Sequence, residues 1–211
     1  MRADARAKRR AILDAAWRLI ADRGAEVSMR TVALEAEVGI ATLYRHFPTR
    51  EDLIVGVLGE VFARVTEVVE KHDPEWADAP EAAWRATVHE LARLEFGALV
   101  YQIAPTAQKS ESLQRRIPPL RDKGARVIDA LVQRARRAGV VDPNIRPERF
   151  LVGLAAISRP FPIAIEEILP GQREWMVSVY LDGLRDPATS PDRSSASLEI
   201  SRGCGLARRT A

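Results

Sequence analysis

Residues 28–53, SMRTVALEAEVGIATLYRHFPTREDL, constrain the fold of this chain more than any other stretch. Two short runs, 29–36 and 40–47, carry apolar residues at helical spacing and flank the turn Glu37-Val38-Gly39. Neither run is long enough to persist as an isolated helix, so each has to pack on a neighbour. Ser28 can cap the first run through its hydroxyl. Pro48 stops the second, because the residue before a proline avoids helical backbone. Thr49-Arg-Glu-Asp52 then has the Thr-x-x-acid form of a capping box and starts a third, longer helix. Two short helices across a tight turn, with a long one behind, form a helix-turn-helix arrangement.

The sequence on either side reads the same way. Ile12, Ala16, Leu19 and Ile20 put one apolar stripe on a first helix, with Arg9, Arg10, Asp14 and Arg18 largely off it and Gly24 as its stop. Leu53, Val57, Leu58, Val61, Val65 and Val68 or Val69 give the fourth helix a long apolar face that ends near Lys71-His72, where His72 reads as a helix-end residue. Pro74 and Pro80 bracket a linker. Beyond it the pattern predicts one long helix over 81–103 and a shorter one around 112–117. Pro119 at a first helical position opens a further helix, which runs to about 138 and stops at Gly139. Ile145 and Phe150 form a hydrophobic staple around a helix reaching about 158, followed by helical runs at 163–169 and 172–184. No strand pattern and no internal repeat is visible. The expected fold is all-α: a three-helix unit over 1–50 (motif about 28–47), a connecting helix over 51–73, a larger helical domain over 74–186, and a disordered tail over 187–211.

Charge separates the two ends. Residues 1–50 carry ten Lys/Arg against six Asp/Glu, whereas the remaining 161 carry 22 against 23. The positive surplus lies wholly in the first quarter and points to an anionic partner there, although a solvated basic helix would have the same composition. No apolar run reaches 18 residues and no signal-peptide pattern follows the basic N-terminus, so a cytoplasmic protein with no membrane partner is expected. Cys204 is the single cysteine, and three scattered histidines offer no metal set, so no metal and no cofactor are expected.

A helix-turn-helix unit that reads DNA has three needs: apolar anchors, small or polar residues at the start of its second helix, and phosphate-binding groups at its flanks. Ala33, Val38, Leu43 and Phe47 supply the anchors. Ile40, Ala41 and Thr42 open the second helix, and methyl groups there can meet thymine methyls. Tyr44, Arg45 and His46 put a phenol, a guanidinium and an imidazole in one turn, with a core aromatic as the lesser reading of Tyr44 and a capping or core histidine as that of His46. Ser28, Arg30 and Thr31, and Thr49 and Arg50, stand at helix starts, where free N–H groups attract anions.

Val-Gly-Ile-Ala-Thr-Leu-Tyr-Arg-His-Phe-Pro-Thr-Arg-Glu-Asp-Leu, residues 38–53, resembles the signature of the TetR (tetracycline-repressor) family. Ile12-Leu-Asp-Ala-Ala16, Gly24 and Ser28-Met-Arg-Thr-Val-Ala33 extend the resemblance over roughly 8–58. Farther on, only the all-helical plan, the length and Tyr-Leu-Asp-Gly-Leu-Arg (180–185) match. The resemblance implies a homodimeric transcriptional regulator, usually a repressor, bound to a palindromic double-stranded DNA operator and released by a small-molecule effector. It implies that Thr42, Tyr44 and His46 face DNA, that Arg45 faces its backbone, that Leu43 and Phe47 are core, and that Arg50 meets a phosphate. Glu37 departs from the pattern, since many members have glycine there.

Trp76, Trp84, Phe96, Tyr101, Phe150, Phe161, Trp175 and Tyr180 give 74–185 most of the aromatic surface. Packing is the default use of such residues, but bundle pockets are lined by the same types. An apolar or aromatic effector is expected, lined by Trp84, Phe96, Tyr101 and Phe150, with Arg93 and Gln102 as polar handles. The helices about 147–158 and 172–184 are rich in small and apolar residues and suit a two-fold interface. An effector-independent DNA-binding regulator or activator is the alternative. A helical enzyme using Glu166, Glu167 and His89 is remote, because no nucleophile elbow, metal motif or phosphate loop is present.

Overall fold

The computed structural model describes residues 2–159, 161 and 167–185, and every regular element among them is helical. In chain order these are α1 (Arg2–Arg23), α2 (Met29–Glu35), α3 (Ile40–His46), α4 (Arg50–Lys71), a 3₁₀ turn (Asp73–Trp76), α5 (Pro80–Arg93), α6 (Phe96–Lys109), α7 (Glu111–Arg137), α8 (Pro147–Ile157) and α9 (Gln172–Gly183). None of the described helices is long and apolar enough to cross a membrane.

α1, α2 and α3 pack on one another, and α1 packs on α4. Ile12, Ala16, Ile20, Val32, Leu43 and Phe47 are buried there. α4 comes so close that a Cβ on Gly56 would stand 2.7 Å from Phe47 and 3.1 Å from Leu13. Farther along, the same helix lies against α7 and α5 and buries Val61, Val65 and Val68. Its C-terminus is tied to α5 through Glu90, which accepts from Lys71 Nζ at 2.8 Å and lies 2.9 Å from His72 Nε2. Ile145 and Phe150 are both buried, as the staple requires.

The body departs from the sequence expectation in two places. The helix expected over 81–103 breaks at Glu95, which is left-handed at φ 54°. α6 then turns away and crosses α8 so closely that a Cβ on Gly97 would run into the Ala155 carbonyl. The separate helices expected around 112–117 and from Pro119 are one helix, α7, that continues through Pro118 and Pro119; α6 likewise continues through Pro105. An interior proline costs about 3 kcal/mol and leaves the carbonyl four residues earlier without a donor. Those carbonyls belong to Tyr101, Gln114 and Arg115, three exposed residues on the solvent side of their helices. Of the run expected at 163–169 only 167–169 falls within the described residues, and 187–211 lies outside them.

Gly97→Ala is expected to lower stability by about 3 kcal/mol, whereas Gly59→Ala, whose Cβ would meet nothing within 4 Å, should raise it by up to about 1 kcal/mol. Urea unfolding midpoints of the two proteins check this.

Candidate nucleic-acid interface and cleft

Backbone hydrogen bonding builds the turn between α2 and α3. Ser28 Oγ accepts from the Thr31 amide at 3.0 Å and caps α2. At the other end the Glu37 amide donates to Leu34 O (3.1 Å) and the Val38 amide to Ala33 O (3.0 Å). This is a Schellman ending, which needs a left-handed residue after the cap. Glu37 fills that position at φ 53°, where a side chain costs about 1 kcal/mol relative to glycine. Its carboxylate is exposed and has no ion-pair partner among the described residues.

α3 is divided cleanly. Leu43 within it and Phe47 just past its end are buried, while Ile40, Ala41, Tyr44 and Arg45 are exposed on one face. Thr42 and His46 sit at its edges, half-buried. Ser28 and Arg30 are exposed at the start of α2, with Thr31 half-buried behind them. Arg30 and Arg45 have no acidic partner among the described residues. Leu34, one turn past Arg30, is 80% exposed; the i, i+4 spacing from Arg30 was the available signal for it. Arg9 of α1 lays its guanidinium 5.3 Å from the Phe47 ring, so the basic N-terminal helix flanks the end of α3.

The start of α4 differs from expectation at Arg50. Its guanidinium does not stand free: Nη1 donates to Glu26 Oε2 at 2.9 Å and to Ala25 O at 3.3 Å. Glu26 Oε1 in turn accepts from Thr106 of α6 at 3.2 Å. The capping box is complete, with Asp52 N to Thr49 Oγ1 at 3.1 Å and Thr49 N to Asp52 Oδ2 at 3.0 Å. Arg116 of α7 donates to the other Asp52 oxygen at 2.9 Å. The Thr49 hydroxyl first, and Arg116 after it, hold the Asp52 carboxyl below its ordinary value of 3.8.

The effector residues expected from sequence divide into two groups. Arg93, Tyr101 and Gln102 line a cleft of about 970 Å³ between α1, α4, the α5–α6 junction, α6 and the segment after α8. Trp84, Phe96 and Phe150 do not; they are buried in the core. Trp84 lies 5.1 Å from Phe150 and 6.4 Å from Trp76, Phe150 stacks on Tyr180 at 6.2 Å, and the Tyr180 hydroxyl donates to Phe150 O at 2.8 Å. These rings are consumed by packing. The cleft gains Trp17, Arg18, Arg64, Arg159 and Phe161 instead; of these only Phe161 stood among the aromatic residues noted in the body, and none was expected to line the effector site. His89 is half-buried with Ser178 Oγ 3.4 Å from its Nε2. Burial, then Arg85 and Arg93, hold its imidazole below the ordinary value and favour the neutral form. Glu166 lies outside the described residues and Glu167 is exposed, so no catalytic set is assembled among the described residues.

Comparison with known proteins accords with this geometry. A family model described as bacterial regulatory proteins, tetR family, matches residues 12–57, and one described as transcriptional regulator SbtR-like, C-terminal domain, matches 79–186. The HTH-type transcriptional repressor KstR of Mycobacterium tuberculosis is 44% identical over 61 residues, 28% of this chain. That match spans 28% of the repressor's own length. Among solved structures, a TetR transcription regulatory protein from Mycobacterium vanbaalenii is 25% identical with a TM-score of 0.62, covering 88% of this chain and 99% of that one. The TetR-like regulator LfrR from Mycobacterium smegmatis, in complex with proflavine, is 24% identical with a TM-score of 0.63, covering 85% and 94%.

Two substitutions probe the local arguments. Glu37→Gly relieves the left-handed strain and is expected to raise the melting temperature by about 3 °C. Asp52→Asn should cost about 1 kcal/mol at neutral pH. The carboxyl's folded value is depressed, so its contribution is complete above 3.8 and is lost as pH falls below that. The gap between the two proteins should therefore close in acid, as urea titrations between pH 3 and pH 7 will show.

Proposed function

The chain belongs to the TetR family of DNA-binding transcriptional regulators, and from that membership we propose that it is a homodimeric repressor that lets go of a palindromic operator when a small aromatic molecule binds its body. The observation that carries the DNA reading is the division of α3. Leu43 and Phe47 lock the helix to the head, which leaves Ile40, Ala41, Tyr44 and Arg45 facing outward together. A helix held this way can enter the major groove with its N-terminal residues at base edges and its cation toward the backbone. Arg30 extends that positive face, and Thr42 and His46 flank it.

Dimerisation has support in α8 and α9, which pack on each other. They leave Val152 (69% exposed), Trp175 (60%) and Val179 (51%) uncovered. A second copy placing the same face against this one would bury them and set two α3 helices about one turn of DNA apart, roughly 34–36 Å.

Release is supported by the polar ties between head and body. Glu26 joins Arg50 at the start of α4 to Thr106 on α6, and Asp52 joins the same helix start to Arg116 on α7. α6 also lines the cleft through Tyr101 and Gln102. A ligand that binds one setting of α6 better than another shifts the heads by that difference in affinity. A protein of this fold has been solved holding proflavine, so the fold can house an aromatic small molecule.

Selection of bound fragments from random DNA will give the operator. On it, Tyr44→Ala and Arg45→Ala are each expected to weaken binding about tenfold or more. Arg45→Ala should also flatten the salt dependence by roughly 0.9 for each phosphate that the variant leaves unneutralised. Full operator affinity in both variants would sink the DNA reading.

A further inference from the structure

We propose that the cleft between α1 and α6 takes an aromatic carboxylate: a flat, apolar body with one anionic end. This deepens the effector reading above and rests on it. The cleft's acids already have partners. Asp14 is paired with Arg64, Glu95 with Arg173 at 2.9 Å, and Asp22 with Arg23 at 3.3 Å. Two of its cations are not matched in the same way. Arg159 has no acidic partner among the described residues, and its guanidinium lies 4.9 Å from the Tyr101 ring. The acid nearest Arg93 is Glu174 at 3.7 Å, well beyond the 2.7–2.9 Å of a strong charge-assisted hydrogen bond. A positive surplus therefore faces a space of about 970 Å³, which lies within the size range of small-molecule sites.

The aromatic half of the inference rests on Tyr101. It is 65% exposed, in contrast to the packed rings of Trp84 and Phe150. The Arg159 guanidinium lies over one side of its ring, and a planar ligand would stack on the exposed remainder beside that guanidinium, an arrangement that arginine favours and lysine does not reproduce. A neutral apolar ligand would strip water from Arg93 and Arg159 and return nothing for it. A cationic ligand would meet both of them. A carboxylate satisfies the guanidiniums while its ring uses Tyr101, and Gln102 adds an amide on the α6 side.

The test uses the full chain, with 1-naphthoate as the anionic probe and 1-naphthamide as its neutral counterpart, by isothermal titration. The carboxylate is expected to bind at least about tenfold more tightly than the amide. Arg93→Gln and Arg159→Gln should each weaken 1-naphthoate about tenfold and leave 1-naphthamide little changed. Arg93→Lys and Arg159→Lys, which keep the charge, should recover part of the loss and so exclude a folding defect. Equal binding of the two probes, no binding of 1-naphthoate, or 1-naphthoate affinity that survives both glutamine substitutions would overturn the proposal. Operator release separates this site from the wider reading. If 1-naphthoate binds through the arginines and the operator stays bound, the site stands and release falls. If 1-naphthoate strips the operator from the doubly substituted protein as readily as from the unsubstituted one, release stands and the anionic site falls.

Discussion

One helix belongs to two cores, and most of the structure follows from that. α4 buries Leu53, Ile54, Val57 and Leu58 at its N-terminal end and Val61, Val65 and Val68 beyond them. Phe47 and Leu13 of the head close on it at Gly56, and Phe62 lies against Gly124 of α7 farther along. The apolar face is continuous, so there is no hydrated gap at which head and body could separate independently. Short helices such as α2 and α3 cannot hold themselves, and they stay formed because α1 and α4 give them a surface. The start of α4 is fixed twice, by Thr49 within the chain and by Arg116 from the body, both through one carboxylate.

The head was legible in the sequence because its determinants are local. Ser28, Gly39, Pro48 and the Thr49–Asp52 pair lie within 25 residues and each sets a helix boundary by its own chemistry. The outward and inward faces of α3 follow from positions 40 to 47 alone. The body was less legible, because its boundaries are set at a distance. Nothing at Leu94-Glu95 announces a break; past it α6 meets the Ala155 backbone on another helix, an approach that only a glycine at position 97 allows. Pro105, Pro118 and Pro119 look like breakers, yet the helices run through them, and the residues whose carbonyls lose a donor are exposed.

The same contrast governs the two groups of aromatic residues. Composition placed large rings in the body without saying which would pack and which would face open space. Trp84 and Phe150 went to the core, where a ring buries most area, and Tyr101 was left at the cleft with a guanidinium over it. Spacing shows at most the α1 wall of the cleft (Asp14, Trp17, Arg18, Ala21 and Asp22), because Arg64 of α4, Tyr101 and Gln102 of α6 and Arg159 and Phe161 after α8 meet it only through the fold. Arg50 illustrates a further limit. Its position matched a phosphate-facing one, but Glu26 lies within reach and the guanidinium turns inward.

The close approach of backbone to backbone at Gly97 gives α6 a mechanical property. With no side chain between it and the Ala155 carbonyl, the helix has no room to move inward at that point, so it behaves as a lever resting on a fulcrum. Thr106 lies nine residues along, an arm of roughly 13 Å at 1.5 Å per residue. Tilting such an arm by about 5° carries its tip roughly 1 Å, enough to part the 3.2 Å bond from Thr106 to Glu26. Tyr101 and Gln102 sit partway along the arm, where a small push has the shorter throw and the far end the longer one.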